Sequence, residues 1–244
     1  MTPAEARERL LGRGLSPADA DVLVAHFEDA DRHGKRGHGL SRVEWLERQE
    51  FDPAARARRL IAEEGFERWD GNGALGYLVL HEIVERSLAS PPAHGRLVVA
   101  ERCFPTGVLG AWVRKLAEGG FVAALTTTSP RRLQHPDGGP PLTGTNQLEI
   151  AIPSSDGRPV VADVSMGAVT HGEVLLGEAS PDELVPFGGE QAHKAFALAV
   201  GLELLVGALA GPEPGAVLFV ARPEHDPVPA LRRLAEGLRL PGDA

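Results

Sequence analysis

Asp70-Gly71-Asn72-Gly73-Ala74-Leu75-Gly76 is the stretch on which the fold turns. Its glycine spacing is that of a dinucleotide fingerprint, and it opens a well-formed helical pattern through Ser87. A Rossmann unit also needs a buried strand before the turn and an acid about 20 residues beyond it. The preceding Phe66-Glu67-Arg68-Trp69-Asp70 is charged, and the region near His94 holds no acid. The stretch therefore reads as a glycine turn closing onto a helix N-terminus, in an α/β protein whose sheet is not of Rossmann type.

Upstream, Thr2-Pro3-Ala4-Glu5 and Ser16-Pro17-Ala18-Asp19 each set a capping side chain before a first-turn proline, with a carboxylate three residues on. Two helices follow, the second turning Val22, Leu23, His26 and Phe27 to a core and stopping near Gly34. This helical hairpin delivers Ala30-Asp31-Arg32-His33-Gly34-Lys35-Arg36-Gly37-His38-Gly39-Leu40-Ser41-Arg42. Ser41 and Glu44 form a capping-box pair, so a helix is predicted from Arg42 to Gln49, with its positive end facing His38. Glycines on both sides of His38 let a ligand come close, which makes His38 the leading acid/base candidate. The plain alternative is a solvent-facing histidine in a helix connection. A further helix is predicted over 53–64, and residues 1–65 form an N-terminal helical segment ahead of a sheet domain over 66–244.

Downstream, Leu97–Ala100 and Phe121–Thr127 are β-rich runs separated by a helix over 107–118, and read as a parallel pair. The Pro- and Gly-rich loop from Ser129 to Thr145 is long for a compact domain and is a functional suspect. Arg131 and Arg132 within it could bind a phosphate, although paired loop arginines are usually solvated. Strands over 148–152 and 159–163 follow, the second ending on Asp163, where strand-end carboxylates of α/β enzymes face a site. A helix is predicted over 167–176, then a long apolar one over 191–209 with His193 and Lys194 in its first turn. A cation there opposes the helix dipole unless an anion also binds, so Lys194 is a ligand candidate. The apolar run Ala195–Gly211 is interrupted by Glu203, is short for a membrane span, and reads as a buried helix. A last strand (216–221) and helix (229–238) complete the chain.

The 244 residues carry a formal charge of −9, without a basic stripe, which argues against nucleic acid or an anionic membrane as partner. The single cysteine, Cys103, cannot form an internal disulfide and fits a reducing cytoplasm. It stands beside Arg102, which could activate a thiol, but a lone cysteine is more often a small buried hydrophobe. His26, His33 and His38 do not share a helix face, and no carboxylate completes a metal site, so no metal is expected.

Taken together, five ordered motifs resemble the type-2 malate/L-lactate dehydrogenase family. They are Ala30-Asp31 with Gly37-His38-Gly39-Leu40-Ser41-Arg42, the Asp70–Gly76 turn, Pro141-Leu142-Thr143-Gly144-Thr145-Asn146, Asp163, and His193-Lys194 with Glu203-Leu204-Leu205. The resemblance implies a three-layer α/β/α fold with a mixed central sheet, and a homodimer with sites near the subunit boundary. It implies hydride transfer between NAD or NADP and a small 2-oxo acid or cyclic imino acid. His38 would exchange the proton, Asp163 would orient or charge it, and Arg42 would hold the substrate carboxylate. Thr145 and Asn146 would line the substrate pocket, while Lys194, His193, Thr127 and Gly107 would face the cofactor.

The chain also departs from the family pattern. Gly37 replaces a serine, Phe104-Pro105-Thr106-Gly107 replaces Asn-His-Phe-Gly, Thr127 replaces an asparagine, and Ala195 and Ala197 replace two helix glycines. It is shorter than the family's usual length, chiefly between Gly172 and Phe187 and after Ala221. The altered segments belong to the cofactor side. The alternative is thus a redox-neutral acid/base enzyme, an isomerase, cyclase or lyase of a biosynthetic pathway, that kept the fold and lost the nicotinamide. A non-catalytic scaffold subunit is a third reading.

Overall fold

The N-terminal caps form as the sequence predicts. In the computed structural model, which describes residues 1–243, the Glu5 N–H donates to Thr2 Oγ1 at 3.3 Å and the Thr2 N–H to Glu5 Oε2 at 2.7 Å. That closed box starts α1 (Pro3–Gly12), and Ser16 caps α2 (Pro17–Arg32). Leu23, His26 and Phe27 are buried on α2, with Val22 half-buried. The box expected at Ser41 and Glu44 does not form. Ser41 is already helical, and its hydroxyl donates to the Arg36 carbonyl at 3.1 Å, so α3 shrinks to Arg42–Leu46.

The helix expected over 53–64 is instead coil followed by strand β1 (Arg58–Ala62), antiparallel to β2 (Phe66–Asp70). All five β1 residues are exposed, so the strand has no buried face to leave an alternating pattern in the sequence. Pairing with β2 determines its conformation. The charge of β2 is absorbed by ion pairs. Glu67 lies 3.3 Å from Arg96 and 3.5 Å from Arg59, and Asp70 pairs with Arg102 and, at 3.3 Å, with Arg58.

Strand β2 leads through α4 (Gly76–Ala89) to the parallel β3 (Gly95–Glu101). The Asp70–Gly76 turn therefore does sit in a βαβ crossover, yet it has no room for a pyrophosphate. A Cβ on Gly76 would lie 2.7 Å from both the Phe104 nitrogen and the Pro105 carbonyl oxygen, and one on Gly71 would strike the Arg102 carbonyl. These glycines let two backbone segments pack against each other, and the Gly71 N–H donates to the Glu101 carbonyl at 2.8 Å.

After α5 (Leu109–Glu118) come β4 (Val122–Thr127), β5 (Leu148–Ile152) and β6 (Val160–Val164). Then follow α6 (His171–Leu175), α7 (Ala192–Ala210), β7 (Ala216–Ala221) and α8 (Val228–Leu234). The sheet order is β1-β2-β3-β7-β4-β5-β6. The expected β3–β4 pair is thus corrected: β7 lies between the two and is antiparallel to both.

The sheet divides two helical layers. Val98, Ala100, Leu218 and Val220 share one core cluster with residues of α1 to α5, while Val99 and Val217 pack with Val206 and Ala210 of α7. The result is a three-layer α/β/α fold with a mixed sheet. Helix α7 is not the buried helix its composition suggests. Only Ala195, Ala199, Val206 and Ala210 are buried, and Leu204 is 66% exposed. With its leading turn it spans 22 residues, and an 18-residue window within it has a mean hydropathy of 1.5, enough by length and composition to cross a membrane. Its Glu203, however, accepts a 2.7 Å hydrogen bond from Asn146 Nδ2, which fastens the helix to the loops beneath.

Candidate active site

The His38 loop is held from three sides. Asp31 Oδ2 accepts the Leu40 N–H at 2.9 Å, and Gly39 is the residue that lets this carboxylate pass so close. Arg36 reaches Glu178 at 2.6 Å, and Lys35 Nζ lies 3.9 Å from Asp163 Oδ2. Gly37 meets Gly172 at the start of α6 backbone to backbone, where an added Cβ on Gly37 would lie 2.6 Å from the Gly172 carbonyl carbon. This contact accounts for glycine in place of the family serine. Gly37→Ser is expected to destabilise the chain by about 1–3 kcal/mol or more, as overpacking against unyielding backbone does. Chemical denaturation measures it, and unchanged stability would contradict the contact.

His38 and Arg42 line a narrow cleft of about 60 Å3. Thr145, Asn146, Thr127 and Gly107 line it too, as do Arg132 and His171. His171 is fixed by a second closed capping box, Thr170 with Glu173, at the head of α6. Arg132 is fixed by the bridge between Leu133 and Thr143, its own N–H donating to the Thr143 carbonyl at 2.8 Å. Gly107 has φ +73°, and a Cβ there would run into His26 and Tyr77. The aromatic wall is Trp45 and Phe104.

Four polar atoms of this cleft are buried without a hydrogen-bond partner: His38 Nδ1, Arg42 Nε, Arg42 Nη1 and Asn146 Oδ1. Buried donors are nearly always satisfied in folded proteins, so a cluster of orphans marks a place prepared for a ligand. Arg42 is 7% exposed and makes no ion pair among the described residues; its guanidinium stacks on Trp45, 4.4 Å from the ring centre. No Asp or Glu lines the cleft. Burial, and next the Arg42 charge, push His38 down to about 3, so the imidazole is neutral in the free protein. Asn146 Nδ2 is spent on α7, donating to the Ala199 carbonyl at 3.0 Å and to Glu203.

Asp163, His193 and Lys194 do not line the cleft. The expectation that Asp163 orients the His38 ring is corrected: His38 Nδ1 has no partner, and Asp163 faces Glu149 across the β5–β6 pair and Lys35 in the loop. Glu149 is fully buried, and burial with the Asp163 charge pushes its carboxyl well above the ordinary range. His193 and Lys194 stand exposed on the first turn of α7. Lys194 stands five positions before Ala199, about 7.5 Å along a helix, so the cations sit one to two turns from the Asn146 tie. Cys103 is buried, which pushes its thiol up to about 12, so it packs as a hydrophobe and is not a nucleophile. Among the described residues no His, Cys, Asp and Glu cluster could hold a metal.

Arg132 and His171 were not among the residues singled out for the acid site by sequence. Arg132 reaches it from the 129–145 loop and His171 from the head of α6; the sequence marked Arg132 only as one of a loop pair that could bind a phosphate.

Burial shifts four histidines in the same direction, His26, His38, His171 and the half-buried His81. Burial lowers His26 to about 4, and burial with Arg132 and Arg42 lowers His171 to about 4. Each stays neutral in the folded chain while its unfolded counterpart takes a proton near pH 6.5. Their stabilising contribution is therefore complete above about pH 6.5 and is lost as pH falls, toward 4 for His26 and His171 and toward 3 for His38. Glu149, raised instead of lowered, acts in the opposite sense, so a variant isolates the effect. The melting temperature of wild type is expected to fall from pH 7 to pH 5 more steeply than that of His26→Gln. Parallel profiles would contradict the assignment.

Residues 3–184 match the malate/L-lactate dehydrogenase family. The chain is 30% identical over 234 residues to an L-lactate dehydrogenase of Cupriavidus necator, covering 80% of this chain and 66% of that one. It is 30% identical over 184 residues to a (2R)-3-sulfolactate dehydrogenase (NADP(+)) of Chromohalobacter salexigens, covering 72% and 54%. It thus spans roughly half to two thirds of the length of these relatives. Among solved structures, Δ1-piperideine-2-carboxylate reductase from Pseudomonas syringae pv. tomato superposes with a TM-score of 0.83 at 24% identity, over 99% of this chain and 89% of that one. Ordered motifs, sheet topology and a family match over three quarters of the sequence agree: the chain belongs to the malate/L-lactate dehydrogenase family.

Proposed function

We propose that this chain is a nicotinamide-dependent oxidoreductase of small 2-oxo or 2-hydroxy acids or cyclic imino acids. The observation that carries the reading is the pairing of a buried, unpartnered Arg42 with a neutral His38 in a cleft without carboxylates. Arg42 offers Nε and Nη1 to a substrate carboxylate, the two-pronged geometry that guanidinium groups favour. A neutral His38 can take the hydroxyl proton of a 2-hydroxy acid. In the opposite direction, a bound anion offsets the Arg42 charge that depresses His38, and so favours the protonated imidazole that donates to a carbonyl oxygen or imine nitrogen. Asp163 and Lys35 act one step away, holding the loop that carries His38.

For the nicotinamide, the fit rests on donors without partners. His193 and Lys194 occupy the first turn of a 19-residue helix with no side-chain cap, and neither makes an ion pair among the described residues. Cations at such an end suit a phosphate. When bound, the reduced nicotinamide would supply hydride to the acceptor carbon. Thr127, Thr145 and Gly107 would shape the cleft on the side where the ring is admitted.

Fluorescence titration with NADH and NADPH tests the reading. Saturable binding of either is expected, weakened by Lys194→Ala. No binding of either at millimolar concentration would remove it and leave a redox-neutral acid/base enzyme as the better account. We also propose a homodimer. Leu198 and Leu205 are about half exposed on α7 and Leu204 more so, a face that a second copy would cover. Light scattering coupled to size exclusion reports the mass, and a monomer at high concentration would refute this part.

A further inference from the structure

Three elements deliver hydrogen-bonding groups to one cleft: the guanidinium of Arg42 from α3, that of Arg132 from the 129–145 loop, and the neutral imidazole of His171 from the head of α6. Neither arginine forms an ion pair among the described residues, and none of the lining residues is acidic. We propose that Arg132, with His171 beside it, is a second anion subsite facing Arg42, so that the substrate is a small 2-oxo or 2-hydroxy acid bearing a second negative group. The inference rests on the reading of Arg42 as the holder of the first carboxylate.

The charges in the cleft support it. Arg132 is half-buried, and burial together with the neighbouring Arg42 disfavours its charged form. His171 is depressed by burial and by both arginines. The two guanidinium groups repel each other in a partly dry space, and the same charges keep His171 neutral. One carboxylate compensates one guanidinium and leaves the other uncompensated. A distal carboxylate, sulfonate or phosphonate removes the remaining repulsion and turns it into binding. The arrangement is not adjustable, because Arg132 is pinned through the Leu133–Thr143 bridge and His171 through the Thr170–Glu173 box. Arg131, its chain neighbour, is exposed and does not line the cleft.

The test is calorimetric titration of the full chain, without cofactor, with DL-malate and DL-lactate, which share the 2-hydroxy carboxylate and differ by one carboxylate. Malate is expected to bind about 10- to 150-fold more tightly, the range for a hydrogen bond to a charged group. Arg132→Gln is expected to bring the ratio close to one, Arg132→Lys to restore part of it, and Arg131→Gln to leave it as in wild type, with circular dichroism reporting the fold. Equal affinities in wild type, or a malate preference that survives Arg132→Gln, overturn the inference. Failure of either acid to bind at millimolar concentration overturns both this and the reading of Arg42. A malate preference in a chain that binds no nicotinamide upholds the subsite and overturns only the redox assignment.

Discussion

Arg42→Met is expected to abolish tight binding of small acids while raising the melting temperature of the unliganded chain. The two effects have one origin. Arg42 is buried, has no counter-ion and leaves two guanidinium nitrogens without partners. An uncompensated buried charge costs several kcal/mol, of which its stacking on Trp45 returns about 2 kcal/mol. Methionine keeps an unbranched stem on Trp45 and removes the charge, so the folded state gains. Binding loses the buried charge pair that a substrate carboxylate would form, about 2–5 kcal/mol, or roughly 30-fold to several thousand-fold in affinity. Thermal denaturation and calorimetry on the same preparation check both signs. A variant that melts lower and binds equally well would mean that Arg42 is structural.

His38→Gln is expected to lower kcat by about two to four orders of magnitude, the range for losing a positioned general acid or base, with acid binding largely retained. Gln can hydrogen-bond but cannot exchange the proton. The pH behaviour follows from the burial that holds His38 near 3 in the free protein. Forming the imidazolium requires proton uptake as the anionic oxo acid binds, so affinity for a 2-oxo acid should rise as pH falls toward 5. In His38→Gln that slope should flatten. A variant with the wild-type rate would return His38 to an ordinary loop residue.

The parts of this molecule that the sequence discloses are those fixed by local chemistry. Thr2 and Ser16 cap helices because the Thr-Pro-Ala-Glu and Ser-Pro-Ala-Asp patterns satisfy orphan N–H groups within one turn. His38 and Arg42 stand four residues apart, so a short loop suffices to bring them to one cleft. Ser41 shows the limit of such patterns: an alternative acceptor, the Arg36 carbonyl, competes for the same hydroxyl. Strand β1 was illegible because both its faces are exposed, and the β3–β4 separation because β7 arrives from the far end of the chain. Helix α7 misled by composition, since apolar residues predict burial only when something covers them, and here one face is covered by the sheet. Arg132 and His171 lie 90 or more positions beyond Arg42, so no spacing rule could join them. Charge in the assembled cleft identifies them.

The central claim is that this cleft reduces a small oxo acid by hydride from a nicotinamide, with His38 supplying the proton. Its most direct measurement is mass spectrometry of the product formed from oxaloacetate and reduced NAD or NADP deuterated at the transferring carbon. The account predicts a 2-hydroxy acid carrying one deuteron at C2, formed by wild type and at most at a hundredth of that rate by His38→Gln. Product without deuterium, or unchanged oxaloacetate under conditions in which both ligands bind, would contradict it.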